Sequence, residues 1–273
     1  MKKRKLPLWR LLLDRGYFEN RKQAASWIMS NKVTIDGRPA VYEGEQVAED
    51  VEITVKGYGQ KYVGKGGLKL EGALDRFQID VSGKTTLDTG ASTGGFTDCL
   101  LQHGAAKVYA IDVGFGQLAG KLRLDPRVVN MEKTNIGAVA KLDLQPGPEF
   151  AALDLSYLSL KQAIPLVFHL LEPAGEMLCL VKPLFEVSDP QIRRSGVIDD
   201  PGIYRQILED LVSYSENIGL CALGITHSPV TGNKGTKEFF LWLGQGGSTV
   251  RRDIRKDIDA AIHEAVKLKE YSK

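Results

Sequence analysis

A glycine-rich segment and a carboxylate further along the chain have the residue types and spacing needed to hold a nucleoside. Residues 88–98 read Asp-Thr-Gly-Ala-Ser-Thr-Gly-Gly-Phe-Thr-Asp, and Asp112 follows 24 positions after Asp88. A glycine-rich turn between a strand and a helix lets the backbone approach a ligand. A carboxylate at the tip of the next strand can accept both hydroxyl hydrogens of a ribose. The pattern therefore predicts a site for an adenosine-bearing cofactor.

The glycine spacing separates two kinds of adenosine ligand. A dinucleotide fingerprint places Gly-x-Gly-x-x-Gly where a helix begins, to bind a pyrophosphate, whereas the glycines here fall as Gly-x-x-x-Gly-Gly with an acid just ahead. A ligand without phosphates, S-adenosylmethionine, fits better, because its cationic sulfonium and amino-acid end suit an acidic strand tip and open backbone amides. An isolated glycine-rich turn is often only a turn, so the prediction depends on the turn and Asp112 together. The expected cofactor contacts are Asp88, Gly90, Ala91, Ser92, Thr93, Gly94, Gly95, Phe96, Asp112, Val113 and Gly114.

Two further charged residues each follow an apolar run. Asp154 comes after Phe-Ala-Ala-Leu at 150–153, and Lys182 comes after Met-Leu-Cys-Leu-Val at 177–181. A doubly wound sheet places its ligand beyond the carboxyl ends of its strands. We therefore expect both side chains to point into the same crevice as the glycine-rich turn.

The elements that must position these residues alternate from residue 68 onward, which predicts a doubly wound α/β sheet. The predicted strands are 85–88, 108–112, 128–131, 151–154, 177–181, 221–227 and 239–243, and the predicted helices are 97–103, 117–122, 160–171 and 201–217. The amphipathic segment 250–268 is expected to pack as a terminal helix.

The first 58 residues are predicted to form a small α+β module. A helix at 8–14 ends at Gly16, Asn20 caps a second helix at 21–29, and strands follow at 33–35 and 51–55. Residues 59–68 have the glycine- and lysine-rich composition of a linker. The predicted organisation is a module at 1–58, a linker at 59–68, a main domain at 69–245 and a C-terminal helix within 246–273.

Composition limits the class of protein. With 273 residues, 43% hydrophobic and 26% charged, the chain is typical of a globular protein rather than a disordered or fibrous one. The apolar runs are too short for a membrane span, and the three cysteines and four histidines lack the spacing of a metal site or a nucleophile pair. We interpret the chain as a cytoplasmic protein without a metal.

The charge is distributed unevenly. Residues 1–69 carry 14 Lys and Arg against 8 Asp and Glu, whereas the remainder carries 22 against 26. A basic module on a near-neutral body is typical of a protein that binds a polyanion, and a solvated basic face is the alternative.

The first module resembles the RNA-binding domain named after ribosomal protein S-four. The resemblance rests on Asp-Arg-Gly at 14–16, Asn-Arg-Lys-Gln-Ala at 20–24, the run from Asn31 to Gly37, and Val-Glu-Ile at 51–53. It implies that structured RNA is contacted by Arg10, Arg15, Arg21, Lys22 and Lys32, and we assign the linker residues Lys61 and Lys65 to the same role.

Nearly the whole chain resembles the TlyA family, which joins that RNA-binding domain to an FtsJ-like methyltransferase and is often labelled hemolysin. The matching segments are 63–70, 88–99, 108–118, 125–128, 134–135, 154–157, 181–186 and 233–242. The resemblance implies a Rossmann-like methyltransferase sheet and S-adenosylmethionine-dependent 2′-O-methylation of ribosomal RNA, with cytidine as the target.

FtsJ-like enzymes use a Lys-Asp-Lys-Glu tetrad, and the matching residues here are Lys69, Asp154, Lys182 and Glu238. The resemblance makes Lys182 the candidate to take or orient the hydroxyl proton. A neutral lysine acting as base and a charged lysine stabilising the emerging alkoxide both remain open. Lys69 has an alternative role as a contact to RNA phosphate, because it follows a lysine-rich linker.

Two other functions compete with methyl transfer. One is a ribosome- or rRNA-binding protein that has lost turnover, although the intact tetrad argues against it. The other is the membrane activity that the hemolysin label suggests. That activity would require an apolar or amphipathic membrane segment, and the segment 250–268 has both charge signs and is better explained as a packing helix.

Overall fold

The chain divides into two compact units, Met1–Gln60 and Lys61–Lys273. A computed structural model describes residues 4–57, 59–139, 144–156, 158–245 and 253–271. Three parts of the predictions lie outside these ranges. They are Tyr58 of the predicted module 1–58, Tyr157 of the matching segment 154–157, and residues 250–252 of the predicted terminal helix.

The first unit is a small α+β fold with its own core. Asn20 caps its second helix as predicted, since the side-chain oxygen accepts a hydrogen bond from the Gln23 amide at 3.0 Å. Leu8, Leu12, Ile28 and Val33 are fully buried or nearly so. The elements are β1 Lys5–Pro7, α1 Leu8–Asp14, α2 Arg21–Met29, β2 Val33–Ile35, β3 Arg38–Pro39, β4 Gln46–Ala48 and β5 Ile53–Val55.

The second unit alternates strands and helices around one large sheet. Its strands are β6 Thr85–Thr89, β7 Lys107–Ile111, β8 Val128–Met131, β9 Phe150–Leu153, β10 Glu176–Val181, β11 Leu220–His227 and β12 Phe239–Gln245. Its helices are α3 Lys65–Phe77, α4 Gly95–Gln102, α5 Gly120–Arg123, α6 Ile136–Val139, α7 Leu160–Phe168, α8 Pro183–Glu186, α9 Pro190–Ser195, α10 Pro201–Asn217 and α11 Ile254–Lys267.

The seven strands lie in the order β11-β12-β10-β9-β6-β7-β8. The strands from β10 to β8 run parallel, and β12 is antiparallel to both of its neighbours. Because β12 is reversed, its first residue lies at the same edge of the sheet as the last residues of the parallel strands. The register shows this directly, since Phe239 pairs with Val181.

Hydrophobic cores cover both faces of the sheet. One face packs mainly against α7, α10 and α11, and the other packs against α3 and α4. Neighbouring strand residues therefore belong to different cores, as the period of two in a strand requires. Phe239 lies in the first core and Phe240 in the second. This three-layer arrangement confirms the predicted doubly wound α/β fold.

The predicted elements differ from the observed ones mainly at their ends. The helix α3 begins at Lys65, inside the predicted linker 59–68, and α7 ends at Phe168 rather than at residue 171. Sequence analysis did not identify the strands β1, β3 and β4 or the short helices α6, α8 and α9. Among the described residues, no helix combines the length and apolar content that crossing a membrane requires.

Candidate active site

The carboxyl edge of the sheet brings together residues that lie far apart in sequence. Asp154 follows β9, Lys182 follows β10, and Glu238 precedes the reversed strand β12. Lys69 reaches the same edge from the second turn of α3. Lys69, Asp154, Lys182 and Glu238 all line one cavity at this edge.

Lys182 and Asp154 form an ion pair that faces the crevice. The Lys182 ammonium lies 2.6 Å from Asp154 Oδ1, and their side chains are 16% and 22% exposed. The ammonium also donates a hydrogen bond to Ser156 Oγ at 2.9 Å. Two partners thus fix the direction of the ammonium, while the residual exposure leaves room for a third.

Lys69 and Glu238 form a second ion pair, which lies deeper. Lys69 Nζ donates to Glu238 Oε2 at 2.5 Å, and both side chains are at least 94% buried. A side-chain carbon at Gly232 would lie 2.3 Å from Glu238 Oε1, so the carboxylate occupies space that only glycine leaves free. Since water is nearly excluded, each charge of this pair depends on the other.

A cavity of about 810 Å³ opens at this edge. Its wall carries six cationic side chains and two carboxylates, and a volume of this size is typical of a small-molecule site. The excess of positive charge is suited to an anionic substrate. The charged wall residues are Lys65, Lys69, Asp154, Lys182, Arg193, Lys234, Lys237 and Glu238.

The glycine-rich turn forms one side of the cavity through Gly90 and Ser92. Gly90 has φ +87°, and an added side-chain carbon there would lie 2.3 Å from the Asp154 carbonyl oxygen. Glycine is therefore required for two reasons, the left-handed backbone and the close approach of the residue after β9. The side chain of Ala91 is buried, whereas Ser92 and Thr93 are exposed.

Asp112 is joined to this turn by a hydrogen bond. The Ser92 amide donates to Asp112 Oδ2 at 2.7 Å, and the Gly114 amide donates to Asp112 Oδ1 at 2.6 Å. Each carboxylate oxygen retains a second lone pair for a ligand hydroxyl. Val113 is 71% exposed beside it and offers an apolar surface. Asp112 therefore has acceptor capacity left for hydroxyl groups, and Val113 lies beside it as an exposed apolar surface.

Other residues of the predicted cofactor segment have their side chains in the protein interior. Phe96 is 2% exposed and stacks on Phe240 with ring centroids 6.2 Å apart. A side-chain carbon at Gly94 would clash with Leu122, and one at Gly95 would lie 3.1 Å from the Gly67 amide. These residues can contribute their backbone only, and their small or apolar character serves the packing of α4.

Asp88 is fully buried below the turn. Thr97 Oγ1 donates to Asp88 Oδ2 at 2.6 Å, while Oδ1 has no hydrogen-bond partner among the described residues. Burial raises the pKa of this carboxyl, the hydrogen bond from Thr97 lowers it, and the negative charge of Asp154 raises it, so that together they move the pKa from 3.8 to about 7. Asp88 therefore titrates close to neutral pH, a property that the sequence pattern did not indicate.

The two linker lysines of the RNA prediction both lie in the second unit. Lys61 is exposed and forms an ion pair with Glu71. Lys65 lines the cavity and donates to Asn233 Oδ1 at 3.0 Å. Lys65 is thus the one of the two that lies beside the tetrad.

The five predicted RNA contacts of the first unit are all exposed on its surface. Arg10 pairs with Asp14, and Arg15 donates to the Glu49 carbonyl at 2.7 Å. Two of the cations lie over aromatic rings, with Arg21 at 5.3 Å from Trp9 and Lys32 at 4.9 Å from Trp27. The fifth residue is Lys22 in the first turn of α2.

Several cavity residues were not identified from the sequence. Ser156 is two positions after Asp154, within a segment quoted only for its resemblance, and its contact with Lys182 depends on how two strand ends meet. Arg193, Lys234 and Lys237 come from loops and a short helix whose patterns carry no distinct signal. The basic character of the segment 233–237 was the available clue.

The chain is similar to known proteins over most of its length. Residues 62–245 match the family described as FtsJ-like methyltransferase. A candidate rRNA methyltransferase of Bacillus subtilis, YqxC, is 42% identical, over 86% of this chain and 85% of its own. The 16S/23S rRNA (cytidine-2′-O)-methyltransferase TlyA of Mycobacterium tuberculosis is 39% identical, over 93% of this chain and 95% of its own.

A solved structure covers both units. It is a candidate hemolysin from Streptococcus thermophilus, 35% identical, with a TM-score of 0.69 and coverage of 96% of this chain and 97% of that one.

Proposed function

The chain belongs to the FtsJ-like methyltransferase family, alongside the TlyA proteins, and from this premise we propose that it is an rRNA ribose methyltransferase. The reaction transfers a methyl group to a ribose 2′-hydroxyl, with cytidine as the target nucleoside. The observation that carries the proposal is the Lys182–Asp154 ion pair at the mouth of a cation-rich cavity, beside the glycine-rich turn.

S-adenosylmethionine is the methyl donor, and it supplies a methyl group activated by a positively charged sulfur. Asp112 would accept hydrogen bonds from the ribose hydroxyls of the bound cofactor, and the backbone of Gly90 and Ser92 would lie on the side of its amino-acid end. The hydrogen bond from the Ser92 amide to Asp112 keeps these two parts of the site at a fixed distance. Holding a ligand in this way lowers the barrier chiefly by orientation.

Lys182 is proposed to act on the substrate oxygen. Its ammonium forms an ion pair with Asp154 and a hydrogen bond with Ser156, and it lines the cavity where the 2′-oxygen would bind. In its charged form, Lys182 would stabilise the negative charge that develops on the oxygen as the hydroxyl loses its proton. The proton passes to Asp154 or to water. The ion pair of Lys69 and Glu238 lies deeper than this pair and supports the site from below.

Ribosomal RNA is the proposed partner, and a ribosomal substrate implies a cytoplasmic location. Exposed cations at Arg10, Arg15, Arg21, Lys22 and Lys32 support an RNA-binding role for the predicted domain 1–58. The predicted domain 69–245 would then carry the reaction, with the helix within 246–273 packed on it. Phosphate neutralisation by such cations supplies most of the affinity for RNA.

The test is transfer of labelled methyl from S-adenosylmethionine to purified small and large ribosomal subunits, followed by mapping of the modified ribose. Lys182→Ala should lower turnover at least about a hundredfold, because it removes the group that stabilises the developing charge. Its affinity for the cofactor should stay within about threefold of the wild type, since Lys182 does not border Asp112. Lys161→Ala, an exposed lysine on α7, is the matched control.

The outcomes separate the reaction from its substrate. Label on a ribose that disappears in Lys182→Ala supports both the chemistry and the assigned role. Full activity in Lys182→Ala would exclude that role. Cofactor binding without label on either subunit would exclude ribosomal RNA as the substrate of this preparation and favour an rRNA-binding protein without turnover.

A further inference from the structure

The loop between β11 and β12, residues 228–238, supplies much of the cavity wall. Asn233, Lys234, Thr236, Lys237 and Glu238 all line the cavity. At its base the loop is closed by a hydrogen bond from the Ser228 amide to the Glu238 carbonyl, and at its centre by one from the Gly232 amide to the Thr236 carbonyl. The position of the Glu238 carboxylate thus depends on the shape of this loop.

Residues 268–271, which follow α11, contact this loop from outside the cavity. The Tyr271 amide donates to Thr231 Oγ1 at 2.8 Å, and Lys237 Nζ donates to the Leu268 carbonyl at 2.5 Å. Between them, Glu270 packs over Gly235, with its Cβ 3.5 Å from the position of an added side-chain carbon. We refer to residues 268–271 as the C-terminal segment.

The contact at Thr231 is well isolated from solvent. Thr231 is 1% exposed, so its hydroxyl oxygen has little access to water, and the amide of Tyr271 takes that place. Thr231 immediately precedes Gly232, the glycine that leaves room for Glu238 Oε1. A shift of the backbone at Thr231 therefore moves Gly232 toward or away from the Glu238 carboxylate.

We infer that the C-terminal segment is a positioning element of the active site, acting through Thr231 on the loop that holds Glu238. The inference rests on the proposed function, because it concerns the placement of Glu238 beside Lys69 for that reaction. Thr231 and Tyr271 are not among the residues that line the cavity. They fix the loop in the shape that brings Glu238 and Lys234 to the cavity.

The test removes the same hydrogen bond from each end in the full chain. Thr231→Val deletes the acceptor with little change in shape, and Tyr271→Pro deletes the donor because proline has no amide hydrogen. Thr231→Ser and Tyr271→Ala are matched controls that retain the bond. We measure turnover of methyl transfer, KM for RNA, cofactor affinity by calorimetry, and the unfolding midpoint.

We expect turnover to fall about tenfold in Thr231→Val and in Tyr271→Pro, since small misplacements at an active site have large kinetic effects. Cofactor affinity and the unfolding midpoint should stay close to wild type, both controls should keep full activity, and the double variant should be no slower than either single one. Wild-type turnover in both single variants would overturn the inference. Equal losses of turnover, cofactor affinity and stability would also overturn it, by assigning the contact to general stability. Absence of methyl transfer by the wild type would instead refute the proposed function.

Discussion

Replacement of Asp88 by asparagine tests whether a buried, ionisable carboxyl lies under the cofactor turn. A pKa raised from 3.8 to about 7 corresponds, at 1.36 kcal/mol per pH unit, to about 4 kcal/mol of unfavourable free energy when the group is ionised. Because the folded pKa is the higher one, the contribution of Asp88 to stability is complete below pH 3.8. It decreases as pH rises and is absent above about pH 7. Asparagine can still accept the hydrogen bond of Thr97 but does not titrate.

The assay is thermal or urea unfolding of wild type and Asp88→Asn, without cofactor, at pH 5 and pH 8. Between these values the wild type should lose roughly 3 kcal/mol that the variant does not lose, because the last two pH units of the shift fall in this window. For a domain of this size, the difference between the unfolding midpoints of wild type and Asp88→Asn should change by roughly 5–10 °C between pH 5 and pH 8. Any fixed effect of the new amide group cancels, since it is the same at both pH values.

Asp210→Asn, an exposed aspartate on α10, is the control and should follow the wild type. Parallel stability curves for wild type and Asp88→Asn across this range would refute the reasoning. They would mean that Asp88 ionises in the folded protein as it does in the unfolded chain.

Two further substitutions probe the site's architecture. Lys69→Met should destabilise the protein by about 3–5 kcal/mol at neutral pH, measured by urea unfolding, because it leaves the Glu238 carboxylate buried without its cation. Adding Glu238→Gln should recover part of the loss. No recovery would mean that water reaches the pair. Gly90→Ala should lower stability and cofactor affinity by more than Gly83→Ala, which has a similar positive φ but open space around it. Equal effects of the two substitutions would show that strain alone, and not the approach of the Asp154 carbonyl, explains the glycine.

Local signals in the sequence predicted the regular elements well. The bounds of α10 match the prediction, because Asp200 caps its first turn by accepting from the Gly202 amide and Pro201 begins the helix. The cap at Asn20 likewise fixed the start of α2. Parallel strands were visible because each is a short apolar run between turn residues.

Contacts between distant segments were not accessible from local patterns. The strand β1 was missed because its partner β4 lies about 40 residues away, and neither has a distinctive alternation of its own. The ion pair of Lys69 and Glu238 spans 169 positions, so only the family resemblance placed these residues together. The ionisation of Asp88 depends on burial by several elements, which no spacing of residues reveals.

Because β12 runs antiparallel to its neighbours, its register against them decides where Glu238 lies. Phe239 and Phe240 face opposite sides of the sheet, one beside Tyr204 at 5.4 Å and the other beside Phe96 at 6.2 Å. A slip of one residue would exchange the two rings between cores of different shape and would turn Glu238 away from Lys69. The packing of Phe239 and Phe240 in different cores therefore fixes the register of β12 and, with it, the position of Glu238 beside Lys69. Inserting or deleting a residue within β12 would leave a folded sheet but place Glu238 where it no longer meets Lys69.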